Sequence, residues 1–273
     1  VKNAEEVKVI IFDLDGTMYQ QETFHRLYLA YALEGSMWEK EYDRLLLGME
    51  EIFSNQALFK MGHYYTNVDQ EYETVEEVLD FTGSETLSDE ESFIYGGDAW
   101  SLLNILTARL GIDENKRRSA FIRVRKQMLG GEESIISSQT LTAAIKNLEY
   151  IKRKVLMTNT HAQSGHEFIE YLNITSLFDE IYLDAKKPDG MQEVIKSLLI
   201  REKVQPHEIL SIGDHPWNDL LPAKKLGCKT LLVTPFQLAD PSQWDGVVTS
   251  SDELAVVLME LTKSKQKERE VLQ

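Results

Sequence analysis

Two aspartates two positions apart, Asp13 and Asp15, close the apolar run Val9-Ile10-Ile11-Phe12 and are followed by Gly16 and Thr17. In an extended chain, side chains at i and i+2 leave on the same side. Gly16 lets the backbone turn sharply just after them. Like charges this close need a proton on one of them or a cation between them. Three later places carry groups suited to the same chemistry. Thr158, followed by Asn159, offers a hydroxyl and backbone N–H groups entering a helix, a phosphate cradle or equally a helix cap. Lys187 precedes Pro188 and offers a point cation; Lys186 is the alternative register. Gly213-Asp214 with Asn218-Asp219 brings two more acids. Converging carboxylates at neutral pH require a cation. Oxygen donors, without a cysteine cluster or a His pair at ligand spacing, favour Mg²⁺ over zinc.

Such residues act together only if the elements that carry them end at one place. The run before Asp13 is apolar on both faces, as in a buried parallel strand. From Ser138 onward strand and helix patterns alternate. Strands are expected at Lys154–Thr158, Ile181–Asp184, Ile209–Ile212, Leu231–Val233 and Val247–Val248, with helices between them and after the last. That alternation predicts a doubly wound, Rossmann-like parallel sheet covered by helices on both faces. Right-handed crossovers put all C-terminal strand ends on one edge, where ligands bind. Between Thr17 and about Glu133 the pattern is helical, with little strand signal. Stripes fall at Phe24, Leu27, Tyr28 and Tyr31, at Ala99, Leu102, Leu103, Leu106 and Leu110, and at Phe121, Val124 and Met128. Breaks are expected at Gly35-Ser36, Gly83-Ser84, Gly96-Gly97 and Gly111. The expected division is a core domain of residues 1–18 and 134–273 with a helical insert of residues 19–133. The charged tail from Lys263 is expected to fray.

The 273 residues are 42% hydrophobic and 27% charged, the composition of a globular protein. A formal charge of −16 disfavours nucleic acid and anionic membrane as partners. Within the insert, acids crowd from Asp69 to Glu91 and are followed by a basic cluster at Lys116, Arg117, Arg118, Arg123, Arg125 and Lys126. These are opposed solvated faces, or else one or two arginines reach an anionic substrate. Cys228 is the single cysteine, so no intrachain disulfide exists; it is expected to be a buried packing residue. With no leader pattern and no apolar run of membrane-spanning length, a cytoplasmic location is expected.

Asp13-Leu14-Asp15-Gly16-Thr17, Thr158, Lys187 and Gly213-Asp214 with Asn218-Asp219 together resemble the four motifs of the haloacid dehalogenase-like hydrolase superfamily, in order and in position. The resemblance covers the alternating core. The insert is similar in position to the cap of the helical-cap subgroup and is longer. The resemblance implies that Asp13 is a nucleophile forming an aspartyl-phosphate, and that Asp15 protonates the leaving oxygen and then activates water. It implies Mg²⁺ on Asp13, the backbone carbonyl of Asp15 and Asp214. Thr158, the N–H of Asn159 and Lys187 would hold phosphate oxygens, with Asn218 and Asp219 behind them. Dehalogenases of the superfamily lack the second acid of the first motif, so Asp15 points to phosphoryl transfer. Many helical-cap members carry a further acid soon after the first motif, where this chain reads Met18-Tyr19-Gln20-Gln21. The expected activity is Mg²⁺-dependent hydrolysis of a small phosphomonoester, such as a sugar phosphate, a nucleoside monophosphate or phosphoglycolate. The alternatives are a phosphomutase of the beta-phosphoglucomutase type and a non-catalytic phosphate-binding regulator.

Overall fold

The computed structural model describes residues 6–20, 23–66, 72–86, 93–130, 134–236 and 241–271, and side chains as far as residue 263. In chain order the elements are β1 (Val9–Phe12), α1 (Phe24–Leu33), α2 (Tyr42–Phe53), β2 (Tyr64–Tyr65), α3 (Val75–Leu79), β3 (Ile94–Tyr95), α4 (Ala99–Arg109) and α5 (Glu114–Met128). Then follow α6 (Gln139–Lys146), β4 (Arg153–Met157), α7 (Ala162–Tyr171), β5 (Glu180–Tyr182), α8 (Asp189–Arg201), β6 (Ile209–Gly213), α9 (Leu221–Lys225), β7 (Lys229–Val233), β8 (Gly246–Val248) and α10 (Ser251–Val271). The chain divides into two compact units. One comprises Val1–Gln20, Ile135–Pro235 and Asp240–Gln273; the other comprises Gln21–Ser134 with Phe236–Ala239.

In the first unit, six strands among the described residues form a parallel sheet in the order β5-β4-β1-β6-β7-β8. This is the expected Rossmann-like α/β architecture. β1 lies inside the sheet, and its four residues are all buried. The chain builds outward from β1 to β4 and β5, then returns to its other side with β6, so the order reverses beside β1. Ligand crevices form at such a reversal. Register fixes what meets there: Phe12 is level with Leu156 on one side and Ile212 on the other. Asp13 therefore emerges beside the ends of β4 and β6.

Alternate strand residues serve opposite faces. Val9 and Ile11 join Val155, Met157 and Ile209 in a buried cluster with Met191, Ile195 and Leu198 of α8. Cys228 packs in the same cluster, and burial pushes its thiol up to about 12. β7 runs two residues longer at its start than the sequence pattern showed, because Lys229 and Thr230 pair with Leu210 and Ser211 although they are polar. The last helix is also longer: its backbone is helical to Val271, where fraying was expected from Lys263. The Lys, Gln, Glu and Arg residues of that stretch have good intrinsic helix propensity. No helix among the described residues is long and apolar enough to cross a membrane.

The second unit is mainly helical, with α1 packed against α4 and α5. α1 buries Phe24, His25, Tyr28, Leu29, Ala32 and Leu33, a face rotated from the expected stripe. β2 and β3 form a small antiparallel pair that periodicity did not reveal, since each has two residues. Gly83 and Gly96 lie against the Tyr65 ring: an added Cβ would fall 2.6 Å from Tyr65 Cζ and 3.1 Å from Tyr65 Cε2, respectively. Arg109 is buried between the Tyr72 and Phe81 rings and donates to the carbonyls of Val78 and Glu77, at 2.9 and 3.0 Å. It satisfies the C-terminal carbonyls of α3. Arg123 pairs with Glu34 at 2.6 Å and lies over the Tyr31 ring, and Arg117 donates to Asn104 Oδ1 at 2.7 Å. Asp69, Glu71, Asp89, Glu90 and Glu91 of the acidic run, and Gln21, lie outside the described residues.

Truncating Ile195 tests the sheet–helix core. Ile195→Ala removes a fully buried side chain and is expected to cost about 2–5 kcal/mol, read as a lower midpoint in urea with an unchanged slope.

Candidate active site

Asp13 leaves β1 at the C-terminal edge and is 6% exposed, with its N–H donating to the Ile212 carbonyl at 2.9 Å. Lys187 meets it from the loop after β5. Lys187 Nζ donates to Asp13 Oδ1 at 2.6 Å, to Asp219 Oδ1 at 2.5 Å and to the Met157 carbonyl at 2.9 Å. These three acceptors match the three protons of an ammonium group. Lys186 is exposed while Lys187 is buried, which resolves the register.

The backbone explains how that lysine is turned inward. Asp184 and Lys186 adopt left-handed conformations with φ of 49° and 52°. Such residues persist where surroundings over-determine them. Here the Ala185 N–H donates to the Thr158 carbonyl and the Asp184 N–H to the Thr160 carbonyl, each at 3.0 Å. The Asn159 side chain brackets the Lys187 peptide: Nδ2 donates to the Lys187 carbonyl at 3.0 Å, and Oδ1 accepts from the Lys187 N–H at 2.7 Å. Asn159 thus fixes the loop after β5 to the loop after β4, a side-chain role the sequence pattern did not reveal.

Asp219 comes from a wide, π-type turn at Pro216–Leu220 after β6. Its Oδ2 accepts from the His215 N–H at 3.0 Å, and its carbonyl accepts from Ser211 Oγ at 2.8 Å. His215, assigned no role from sequence, accepts from the Asn218 N–H on Nδ1 at 3.3 Å. Two glycines make room for the acids. A Cβ on Gly213 would lie 2.4 Å from Asp219 Oδ2, and one on Gly16 would lie 2.0 Å from Asp214 Oδ2. Gly16 also has φ of +72°, a conformation that disfavours other residues.

Asp15 is half-buried. Its Oδ2 accepts from Thr160 Oγ1 at 2.6 Å and, more weakly, from Thr158 Oγ1 at 3.4 Å. Its Oδ1 accepts from the Tyr19 hydroxyl. Tyr19 and Thr160 do not stand out by their positions in the sequence. The only signal is proximity: four residues after Asp15, and two after Thr158.

Asp13, Asp15, Thr158, Asn159, Lys187, Asp214, Asn218 and Asp219 all stand on segments at this edge of the sheet. One oxygen each from Asp13, Asp214 and Asp219 falls within 4.8 Å of the others. With Asp15, whose charge acts on Asp13, four carboxylates stand at this edge, and Lys187 pairs with two of them. Burial pushes the Asp13 carboxyl well above the ordinary carboxylate range; Lys187 pulls it down, and Asp219 and Asp15 push it up again. Burial by itself would lower Lys187, but Asp13 and Asp219 outweigh it and hold the ammonium above its usual range. The all-oxygen donor set and the excess negative charge fit a hard divalent cation.

The fold has known counterparts. A provisionally assigned beta-phosphoglucomutase from Thermotoga maritima is 17% identical, with 93% of this chain and 99% of that one covered at a TM-score of 0.53. The provisionally assigned HAD-hydrolase YfnB from Bacillus subtilis, solved bound to magnesium, is 15% identical, with 92% and 98% covered at 0.52. A haloacid dehalogenase-like family hydrolase from Xanthomonas campestris is 12% identical, with 96% and 98% covered at 0.50. These likenesses define the fold class. Residues 7–227 match the sequence profile of the haloacid dehalogenase-like hydrolases, and the chain belongs to that family. No curated protein matches the sequence.

The charge imbalance gives a stability test. A carboxyl that holds its proton more tightly in the folded than in the unfolded chain contributes stability at acid pH, and that contribution declines as pH rises above the ordinary carboxylate range. At neutral pH in chelator, Asp13→Asn is therefore expected to melt above wild type. Excess Mg²⁺ or Mn²⁺ should raise the wild-type melting temperature more than the variant's, by about 2.7 kcal/mol of stability at a hundred times Kd. A wild-type melting curve indifferent to cation would rule out the acid cluster as a metal site.

Proposed function

We propose that this hydrolase cleaves small phosphomonoesters with Mg²⁺, through an aspartyl-phosphate on Asp13. The observation that carries the reading is a pair of acids from one strand end in two different settings. Asp13 is buried against Lys187. Asp15 is half-buried and held by hydroxyl groups. Acids in contrasting surroundings suit contrasting roles, one as nucleophile and one as proton carrier.

In this mechanism an Asp13 oxygen forms a bond to phosphorus while the bond from phosphorus to the ester oxygen breaks. Asp15 gives its proton to that departing oxygen, releasing the alcohol. Water then attacks phosphorus, Asp15 takes the water's proton, and the bond from phosphorus to Asp13 breaks to release phosphate. Thr158, the N–H of Asn159 and Lys187, which exchanges its bond to Asp13 for one to the substrate, hold the remaining phosphate oxygens. Asp219, with Asn218 on the same turn, orients Lys187. Asp13, the Asp15 carbonyl and Asp214 would hold the Mg²⁺, which when bound would supply positive charge for a carboxylate to approach an anionic ester. The expected substrates are small phosphorylated metabolites, such as a sugar phosphate, a nucleoside monophosphate or phosphoglycolate. The helical insert of residues 19–133 is the segment from which substrate selection would come.

A panel of phosphometabolites assayed for released phosphate tests this. Wild type with Mg²⁺ should turn over at least one of them, and Asp13→Asn should lose at least about a thousandfold in kcat. Chelator should abolish turnover, and added Mg²⁺ should restore it. Isomer interconversion without phosphate release would instead establish a mutase. Full activity in Asp13→Asn would remove Asp13 as nucleophile.

A further inference from the structure

The contacts of Asp15 reach beyond the four motifs. Its two oxygens are engaged by residues of two different loops, one after β1 and one after β4. The Tyr19 hydroxyl donates to Oδ1, and Thr160 Oγ1 donates to Oδ2 at 2.6 Å. Tyr19 is 2% exposed, and its ring packs on Phe168 of α7 at 5.6 Å between centroids. Phe168 is itself fully buried. The turn that brings Tyr19 back to Asp15 is closed by the Met18 N–H on the Leu14 carbonyl at 2.9 Å, and a backbone bridge joins residues 15 and 19. Thr160 is anchored in turn by its N–H on Thr158 Oγ1 at 3.0 Å and by its carbonyl on the Asp184 N–H at 3.0 Å. Both donors are therefore set by packing and backbone bonds that do not involve the Asp15 side chain. A buried tyrosine hydroxyl needs some acceptor. Here that acceptor is a carboxylate of the first motif.

We propose that Tyr19 and Thr160 are positioning residues that hold the Asp15 carboxyl in the orientation from which it passes a proton to the departing oxygen. The inference rests on the phosphomonoesterase reading above. Each carboxylate oxygen has two acceptor sites. The Tyr19 hydroxyl on Oδ1 and the Thr160 hydroxyl on Oδ2, with a weaker contact from Thr158 at 3.4 Å, together fix the plane of the carboxyl. Proton transfer depends on that orientation to within a fraction of an ångström. In the first step the phosphorus–oxygen ester bond breaks as the bond to Asp13 forms, and the Asp15 proton ends on the alcohol. An alkoxide is a poor leaving group and needs that proton. A nitrophenolate is stable and hardly needs it. Loss of orientation must therefore slow alkyl esters selectively, whereas general loosening of the site slows both classes alike.

The experiment compares kcat/KM for glycerol phosphate and p-nitrophenyl phosphate in wild type, Tyr19→Phe, Thr160→Val and Asp15→Asn, with folding checked by circular dichroism. kcat/KM covers only the steps through alcohol release, so later hydrolysis does not enter. Tyr19→Phe keeps the ring against Phe168 and removes only the donor. It should lower kcat/KM for the alkyl ester about tenfold or more beyond its effect on the aryl ester. Thr160→Val should act in the same direction and decides the matter if Tyr19→Phe does not fold. In the Asp15→Asn background, Tyr19→Phe should have no further selective effect. Equal losses on both esters, no loss, or a selective effect that survives in Asp15→Asn would each overturn the inference alone. If glycerol phosphate is not turned over, an alkyl ester that the phosphometabolite panel shows to be a substrate takes its place; a wild type inactive on both esters and on the whole panel would overturn the phosphomonoesterase reading and this inference with it.

Discussion

The site depends on one buried ammonium. Lys187 Nζ is shared by Asp13, Asp219 and the Met157 carbonyl, and so ties the ends of β1 and β4 and the turn after β6 to the loop after β5. A buried lysine without partners would lose its proton, and two buried carboxylates without a cation would take one up. Here the two carboxylates keep the ammonium charged, and the ammonium draws the Asp13 carboxyl down against the larger upward push of burial. Much of the surrounding backbone can be read as a device for keeping them in contact. Left-handed residues at 184 and 186 aim the lysine, the Asn159 amide grips its peptide, and Gly213 allows Asp219 to close from behind.

The sheet supplies the frame on which this arrangement can exist. Parallel strands in register bring residues distant in sequence to the same level, and the reversal of strand order beside β1 opens space there. The loops beyond that edge carry the polar groups, while the two central strands behind them, β1 and β6, are buried throughout and apolar except at Ser211. Rigid strands and specialised loops divide the work between stability and chemistry. The hydroxyl groups around Asp15 show the same division: Tyr19 is fixed by apolar packing on Phe168, and only its oxygen faces the polar edge.

Much of this was legible before any coordinates. The apolar run into Asp13 and the alternation after Ser138 were enough for the parallel sheet, because buried strands and amphipathic helices leave different periods. The acids, Thr158 and Lys187 were legible only as a set, because each follows an apolar run and all those runs were expected to end at one edge. Tyr19 and Thr160 were not, because a tyrosine or threonine beside a turn is ordinary, and only three dimensions show what its hydroxyl meets. Asn159 was placed by its N–H, whereas its side chain proves to hold the lysine loop. In the helical insert, two-residue strands leave no period to detect, and the buried face of α1 followed contacts with α4 and α5 rather than the strongest apolar spacing.

The lone cysteine has a practical use. Cys228 is 5% exposed, and its thiol is held at about 12 by burial. At neutral pH almost none of it is thiolate, the form that reacts with alkylating reagents. In its native state the chain is thus a silent background for site-directed labelling: a dye or spin probe attached to an engineered surface cysteine has no competitor. The same thiol becomes reactive when the core opens, so alkylation of the unaltered chain acts as a built-in clock for global unfolding.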